Sequence, residues 1–165
     1  MSDIFTKAKR SEVMSRVLSR GNKATELRLM EWMKEAGISG WRRQVKISIK
    51  GMSVTKPNPV FSSQKKSKCH FKVRPDFIFR RERLAIFVDG CFWHGCPVHG
   101  TQPRQNENFW KEKIARNQKR DRKVTRELRN AGWGVLRVWE CALTKTHKTK
   151  TISRVSRILS RKRGK

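Results

Sequence analysis

The chain has 165 residues and is 36% hydrophobic, with 6 Trp and 8 Phe, which suits one domain of ordinary size with a real apolar core. Lys and Arg number 41 against 13 Asp and Glu, a formal net charge of +28. Self-repulsion on that scale calls for a polyanionic partner, nucleic acid first, but does not separate an enzyme from a simple binder. No apolar run approaches the ~20 residues that span a bilayer, and the opening MSDIFTKAKR has no signal-peptide stretch, so no membrane partner is expected and the cytoplasm is the expected location. Disulfides are uncommon there, so Cys69, Cys91, Cys96 and Cys141 read as metal ligands or plain thiols.

In chain order, apolar pairs at helical spacing over Ser11–Ser19 predict a first helix. Leu27, Met30 and Met33 predict a second one, running to a C-cap at Gly37, with a kink between the two at Gly21. Residues Trp41 to Ile49 alternate as a strand would. Residues 51–72 hold two prolines, a serine cluster and KKSKCH, and read as a basic inserted loop. Phe77–Phe79 and Leu84–Val88 predict a β-hairpin around RRER. Asn108–Ala131 reads as a long basic helix ending at Gly132, and WGVLRVWE as a strand after it. Strand, helix and strand in that order predict a parallel crossover. The segment 144–165 has no acidic residue. Ile152, Val155 and Leu159 would let it dock one face and offer the other to phosphate. The fold class is therefore α/β, helices around a mixed sheet, with a main domain over 1–143 and a basic C-terminal tail over 144–165.

Cys91, Cys96 and His99 have the spacing C-x4-C-x2-H, and Cys141 follows the last strand in WECAL. Three thiolates and an imidazole form a closed tetrahedral set suited to structural Zn²⁺. Unrelated buried thiols, or Cys69 or His70 substituting for a ligand, are the alternatives. With those four on zinc, His94 is left over in a metal-pinned loop, where a catalytic group has fixed support. Asp76, in RPDFIF at a strand edge, is placed either to bind Mg²⁺ or to satisfy a turn. On the long helix Trp110, Ile114, Asn117, Asp121, Val124 and Leu128 share one stripe, which sets a carboxylate on the inward face. Asp121 then pairs with an arginine or serves a metal or histidine. Glu26 lies in the first turn of its helix, where an acid complements the dipole whatever else it does. Together Glu26, Asp76, His94 and Asp121 make a coherent set for phosphodiester hydrolysis.

DGCFWHGCPVHG, NFWKEKIARNQKRD and GWGVLRVWECAL, with KATEL and RPDF upstream, closely resemble the very short patch repair (Vsr) DNA mismatch endonucleases. The resemblance runs from Lys7 to Leu143 apart from the 51–72 insertion. It implies a restriction-endonuclease-like fold that nicks one strand of double-stranded DNA with Mg²⁺, 5′ to the thymine of a T:G mismatch left by deaminated 5-methylcytosine. By the same resemblance Asp76 is the central metal ligand, His94 the general base, and the Val88 carbonyl a further Mg²⁺ contact. Glu26 would hold waters around the metal, and Asp121 would orient His94. Phe92, Trp93 and Trp110 match an aromatic wedge that enters the duplex, with Asn117 as a further DNA contact. The enzyme would act as a monomer, associated with the nucleoid. Val88 and Asp89 depart from common family residues, and Asp89 would either join the metal site or repel a phosphate. Two other functions fit part of this pattern: a homing-type endonuclease cutting specific paired sites, and a zinc-stabilised DNA-binding protein without catalysis.

Overall fold

The computed structural model describes residues 25–50, 70–100 and 106–164. The expected first helix, the kink at Gly21 and Cys69 lie outside these residues, as does 51–69 of the inserted loop. Helix α1 spans Glu26–Glu35, followed by strands β1 (Trp41–Arg43), β2 (Ile47–Lys50), β3 (His70–Val73), β4 (Phe77–Phe79) and β5 (Leu84–Asp89). Then come a single-turn helix α2 (Cys91–His94), the long α3 (Glu107–Asn130), β6 (Gly134–Trp139) and α4 (Lys148–Arg163).

Two expectations change. The strand expected over 41–49 is two strands in different sheets, broken at Gln44, which sits at φ +53. Its backbone N–H donates to the Asp76 carbonyl at 3.1 Å, so the chain turns where Gln44 meets the site. Residues 70–72, expected as the end of the loop, are strand: β3 pairs antiparallel with β2, Ile47 opposite Val73 and Ile49 opposite Phe71. The two strands form a ribbon whose members flank residues 51–69 in the chain.

The main sheet has the order β1-β4-β5-β6. The first two pairings are antiparallel, and β5 with β6 is parallel. The hairpin, the long helix and the parallel crossover stand where the sequence put them. Period-two alternation sends successive side chains to opposite faces. Phe77, Phe79, Leu84, Ile86, Leu136 and Val138 pack on one face against Leu29, Trp32 and Met33 of α1 and Val155 and Leu159 of α4. Ile78 and Ala85 pack on the other against Val124 and Leu128 of α3 and Ile47 and Ile49 of the ribbon. Helix α4 thus docks by the apolar stripe anticipated in the basic tail. Among the described residues, no helix is long and apolar enough to cross a membrane.

The β5–β6 register positions the site. Each β5 residue faces the one fifty positions later, Leu84 opposite Gly134 and Asp89 opposite Trp139. Both strands end at the same edge, so Cys91 and Cys141, two residues further on each, leave the sheet side by side.

Candidate active site and metal centre

Helix α2 begins straight after β5. Gly90 is its extended N-cap, and Glu140 Oε2 accepts the Cys91 N–H at 3.1 Å. Gly95 ends it in the left-handed region at φ +63, and a Cβ there would lie 2.6 Å from Gln118 Nε2 and 2.9 Å from Ile114 Cγ2. Only glycine meets both conditions without strain. This tight close throws Cys96 and His99 back toward Cys91. One ligand atom from each of Cys91, Cys96, His99 and Cys141 lies within 4.8 Å of the others, with Cys96 Sγ and Cys141 Sγ 3.9 Å apart. Burial pushes the Cys91 thiol up to about 12. Burial also opposes ionisation of Cys96, but N–H groups of His99 and Val98 bring that thiol down to about 7. A soft donor set gathered this closely fits a metal ion in tetrahedral coordination.

His94, the last residue of α2, faces α3. Its Nδ1 is 2.5 Å from Asp121 Oδ2, so the stripe on α3 did carry a carboxylate to a histidine. Burial disfavours the Asp121 anion, but the His94 hydrogen bond and the Arg137 and Arg120 charges hold its carboxyl below the usual range. Nδ1–H donated to a carboxylate leaves Nε2 as the unprotonated nitrogen of the neutral ring. Asp89, His94, Gln118, Asp121, Arg122 and Arg154 help line one cleft of ≈ 470 Å³. A nitrogen lone pair beside such a cleft can take a proton from a nucleophile.

Asp76 lies between β3 and β4. Its Oδ2 accepts the Val88 N–H at 2.7 Å and its Oδ1 accepts from Gln44 Nε2 at 3.1 Å. The same Gln44 amide donates to Glu26 Oε2 at 3.1 Å, and Arg43 donates to that oxygen at 3.0 Å. Burial, with the negative charges of Glu26 and Asp89 beside it, raises Asp76 to about 6 despite those two hydrogen bonds. A carboxylate crowded by carboxylates is where a hard divalent cation gains most, so Asp76 and Glu26 fit one. Glu26 is itself buried, 7% exposed, so its place at the helix start is more than dipole complement. The structure thus forms two clusters, Glu26–Gln44–Asp76 and His94–Asp121, bridged by Val88 and Asp89 at the end of β5.

Phe92, Trp93 and Trp110 belong to neither hydrophobic core. Their rings meet edge to face, Phe92 at 5.1 Å from both tryptophans and the two tryptophans 5.9 Å apart. Phe109, 52% exposed, adds a fourth ring 5.1 Å from Trp110. Asn117 Nδ2 donates to the Trp93 carbonyl at 2.9 Å, fixing the aromatic pair to α3.

Sequence reasoning passed over Gln44, Arg137, Glu140 and Phe109. The one visible signal was Arg137, a charge in the middle of the apolar strand VLRVW.

A histidine oriented by a carboxylate and open to a cleft, in a chain of net charge +28, is the equipment of a hydrolytic enzyme that works on a polyanion. Residues 59–99 match the family described as DNA mismatch endonuclease Vsr. The type II nicking enzyme V.NmeAIP of Neisseria meningitidis is 32% identical over 144 residues, 87% of this chain and 85% of that protein. V.NaeI of Lentzea aerocolonigenes, another type II nicking enzyme, is 58% identical over 69 residues, 42% of each chain. The DNA mismatch endonuclease Vsr of Escherichia coli is 47% identical over 72 residues, 42% of this chain and 46% of that one. The last two matches thus span under half of the relative's length, whereas the first runs nearly end to end. The chain belongs to the Vsr family of DNA endonucleases.

Proposed function

We propose that the protein is a Mg²⁺-dependent endonuclease that nicks one strand of duplex DNA 5′ to the thymine of a T:G mismatch. The observation that carries the chemistry is the His94–Asp121 pair, set at the same sheet edge as the crowded carboxylate Asp76. Magnesium held by Asp76 would supply positive charge to the phosphoryl oxygens as negative charge builds on them. A residue's own N–H and C=O point to the same side of its strand, so the Val88 carbonyl looks toward Asp76, as its N–H does, and is a second oxygen donor. Glu26, steadied by Arg43 and Gln44, orders water around that donor pair.

His94 Nε2 takes a proton from the attacking water. The water oxygen forms the new bond to phosphorus as the bond to the leaving sugar oxygen breaks, and that oxygen takes a proton from solvent water. Asp121 keeps the ring turned and stabilises the imidazolium that forms. Zinc on Cys91, Cys96, His99 and Cys141 would hold α2, and with it His94, in place.

Phe92, Trp93 and Trp110 supply the mismatch preference. Inserting rings between base steps costs about a few kcal/mol per step, least where pairing is already weak. Asn117 contributes by fixing Trp93, and Arg154 in the cleft meets phosphate. A monomer suffices, since both clusters come from one chain, and such a substrate sets the protein at the nucleoid. Asp76→Ala tests the reading: nicking should vanish while DNA binding persists. A variant that still cut would remove Asp76 from the metal site.

A further inference from the structure

Beside the His94–Asp121 pair lies an ion network outside the mechanism just given. Asp89, 3% exposed, ends β5, and Arg137 stands on β6 two residues before its strand partner Trp139. Arg137 forks onto Asp89, Nε to Oδ2 at 2.6 Å and Nη2 to Oδ1 at 2.5 Å. The same Nη2 lies 3.2 Å from Asp121 Oδ1, the carboxylate oxygen His94 does not use. Asp89 Oδ1 is also 3.8 Å from His94 Nδ1. The arginine carbon stacks 5.1 Å from the Phe87 ring, which limits its swing. Two sheet residues therefore hold a helix residue, and that residue holds the histidine.

We infer that Arg137 is a positioning residue that fixes Asp121, and through it the Nδ1–H tautomer and aim of His94, with Asp89 serving to orient Arg137 and not to bind metal. Three physical points carry this. Both Asp89 oxygens are engaged by a guanidinium, and a bidentate fork is hard to displace from a buried carboxylate. A second carboxylate lies within 4 Å of Nδ1, so without the arginine Asp121 would have a competitor for the ring. An Asp121 without Arg137 would also cost the histidine its defined orientation, because its other oxygen would keep only the exposed Arg120 Nε, 3.8 Å away.

The inference rests on the proposed nuclease reading only for its kinetic part. The test uses the zinc-loaded full chain and two readouts. The first is the ¹⁵N signature of the His94 ring at pH 8, assigned by its loss in His94→Asn. The native protein should show the Nδ1–H form, and Arg137→Met should show a mixture with Nε2–H. The second is nicking of mismatched duplex. Arg137→Met should lower kcat by about 10- to 100-fold, the usual range for loss of an outer-shell partner, with KM within about threefold. Asp89→Asn/Arg137→Met leaves no lone Asp89 charge, carries the same measurements if the single variant misfolds, and should be no worse than Arg137→Met.

An unchanged tautomer together with unchanged kcat would reduce the network to a stability element and overturn the inference. A raised KM with kcat intact would make Arg137 a phosphate contact and overturn it equally. A native protein that shows the tautomer but nicks nothing would sink the nuclease reading and leave the positioning role standing.

Discussion

Replacing Asp76 by Asn should stabilise the magnesium-free protein at pH 8. Asp76 is raised from 3.8 to about 6, burial being the largest cause and the charges of Glu26 and Asp89 adding to it. Two units correspond to at most ~3 kcal/mol of differential interaction between the protonation states. The folded value lies above the unfolded one, so the folded state holds the proton more tightly. That advantage is full below pH ~4 and is lost as pH rises through about 6. An amide has one acceptor oxygen, so the N–H of Val88 or the amide of Gln44 loses its partner, at a cost of ~1 kcal/mol. The net gain at pH 8 is then ~1–2 kcal/mol, or a rise in Tm of roughly 3–6 °C for a chain of this size.

Thermal or urea unfolding at pH 4 and pH 8, with the thiol site loaded and magnesium omitted, measures it. The gain should shrink or reverse at pH 4, where the native Asp76 is already protonated. Adding Mg²⁺ at pH 8 should stabilise the native chain and not the variant. Equal stability of variant and native protein at both pH values would refute the crowded-carboxylate argument and, with it, the reason for placing a cation there.

His94→Ala and Asp121→Asn should each slow nicking, His94→Ala by about 10²- to 10⁴-fold if it removes a general base. Metal analysis should still find one zinc per chain in both; loss of zinc from His94→Ala would mean that ligand and base have been exchanged. Gly95→Ala must relieve a Cβ 2.6 Å from Gln118 at φ +63, so its Tm should fall by an amount equivalent to ~1–3 kcal/mol, and an unchanged Tm would mean that α2 can end another way. Cys141→Ser should weaken or abolish zinc binding and lower the unfolding midpoint steeply, since a structural site contributes on the order of 10 kcal/mol. Trp93→Ala should lower the preference for mismatched over paired duplex; an unaltered ratio would return Trp93 to a packing role.

Local pattern carried the hairpin, the long helix and the crossover, because each rests on contiguous periodicity, with Gly132 marking the helix end. The thiol set was legible because chain spacing fixes three of its members. Cys141 came within reach because it follows a strand that had to lie parallel to β5. Asp121 was found by counting turns on an amphipathic helix. Gln44 was hidden because its role needs a left-handed backbone in a stretch whose alternation reads as one strand. Arg137 was hidden because strand register, invisible in a single sequence, decides which carboxylates it meets. Glu26 lay between, since helix-dipole complementarity explained it without reference to Gln44 or Asp76.

The most direct measurement is a Mg²⁺-dependent nicking assay on two end-labelled duplex pools with randomised flanks, one carrying a single T:G mismatch and the other fully paired. The expected result is cleavage of the thymine strand alone, immediately 5′ to the mismatched thymine, with the flanks reporting the preferred context. Equal cutting of the paired pool would contradict the mismatch specificity and favour a homing-type activity. No cutting of either pool would contradict the catalytic reading itself.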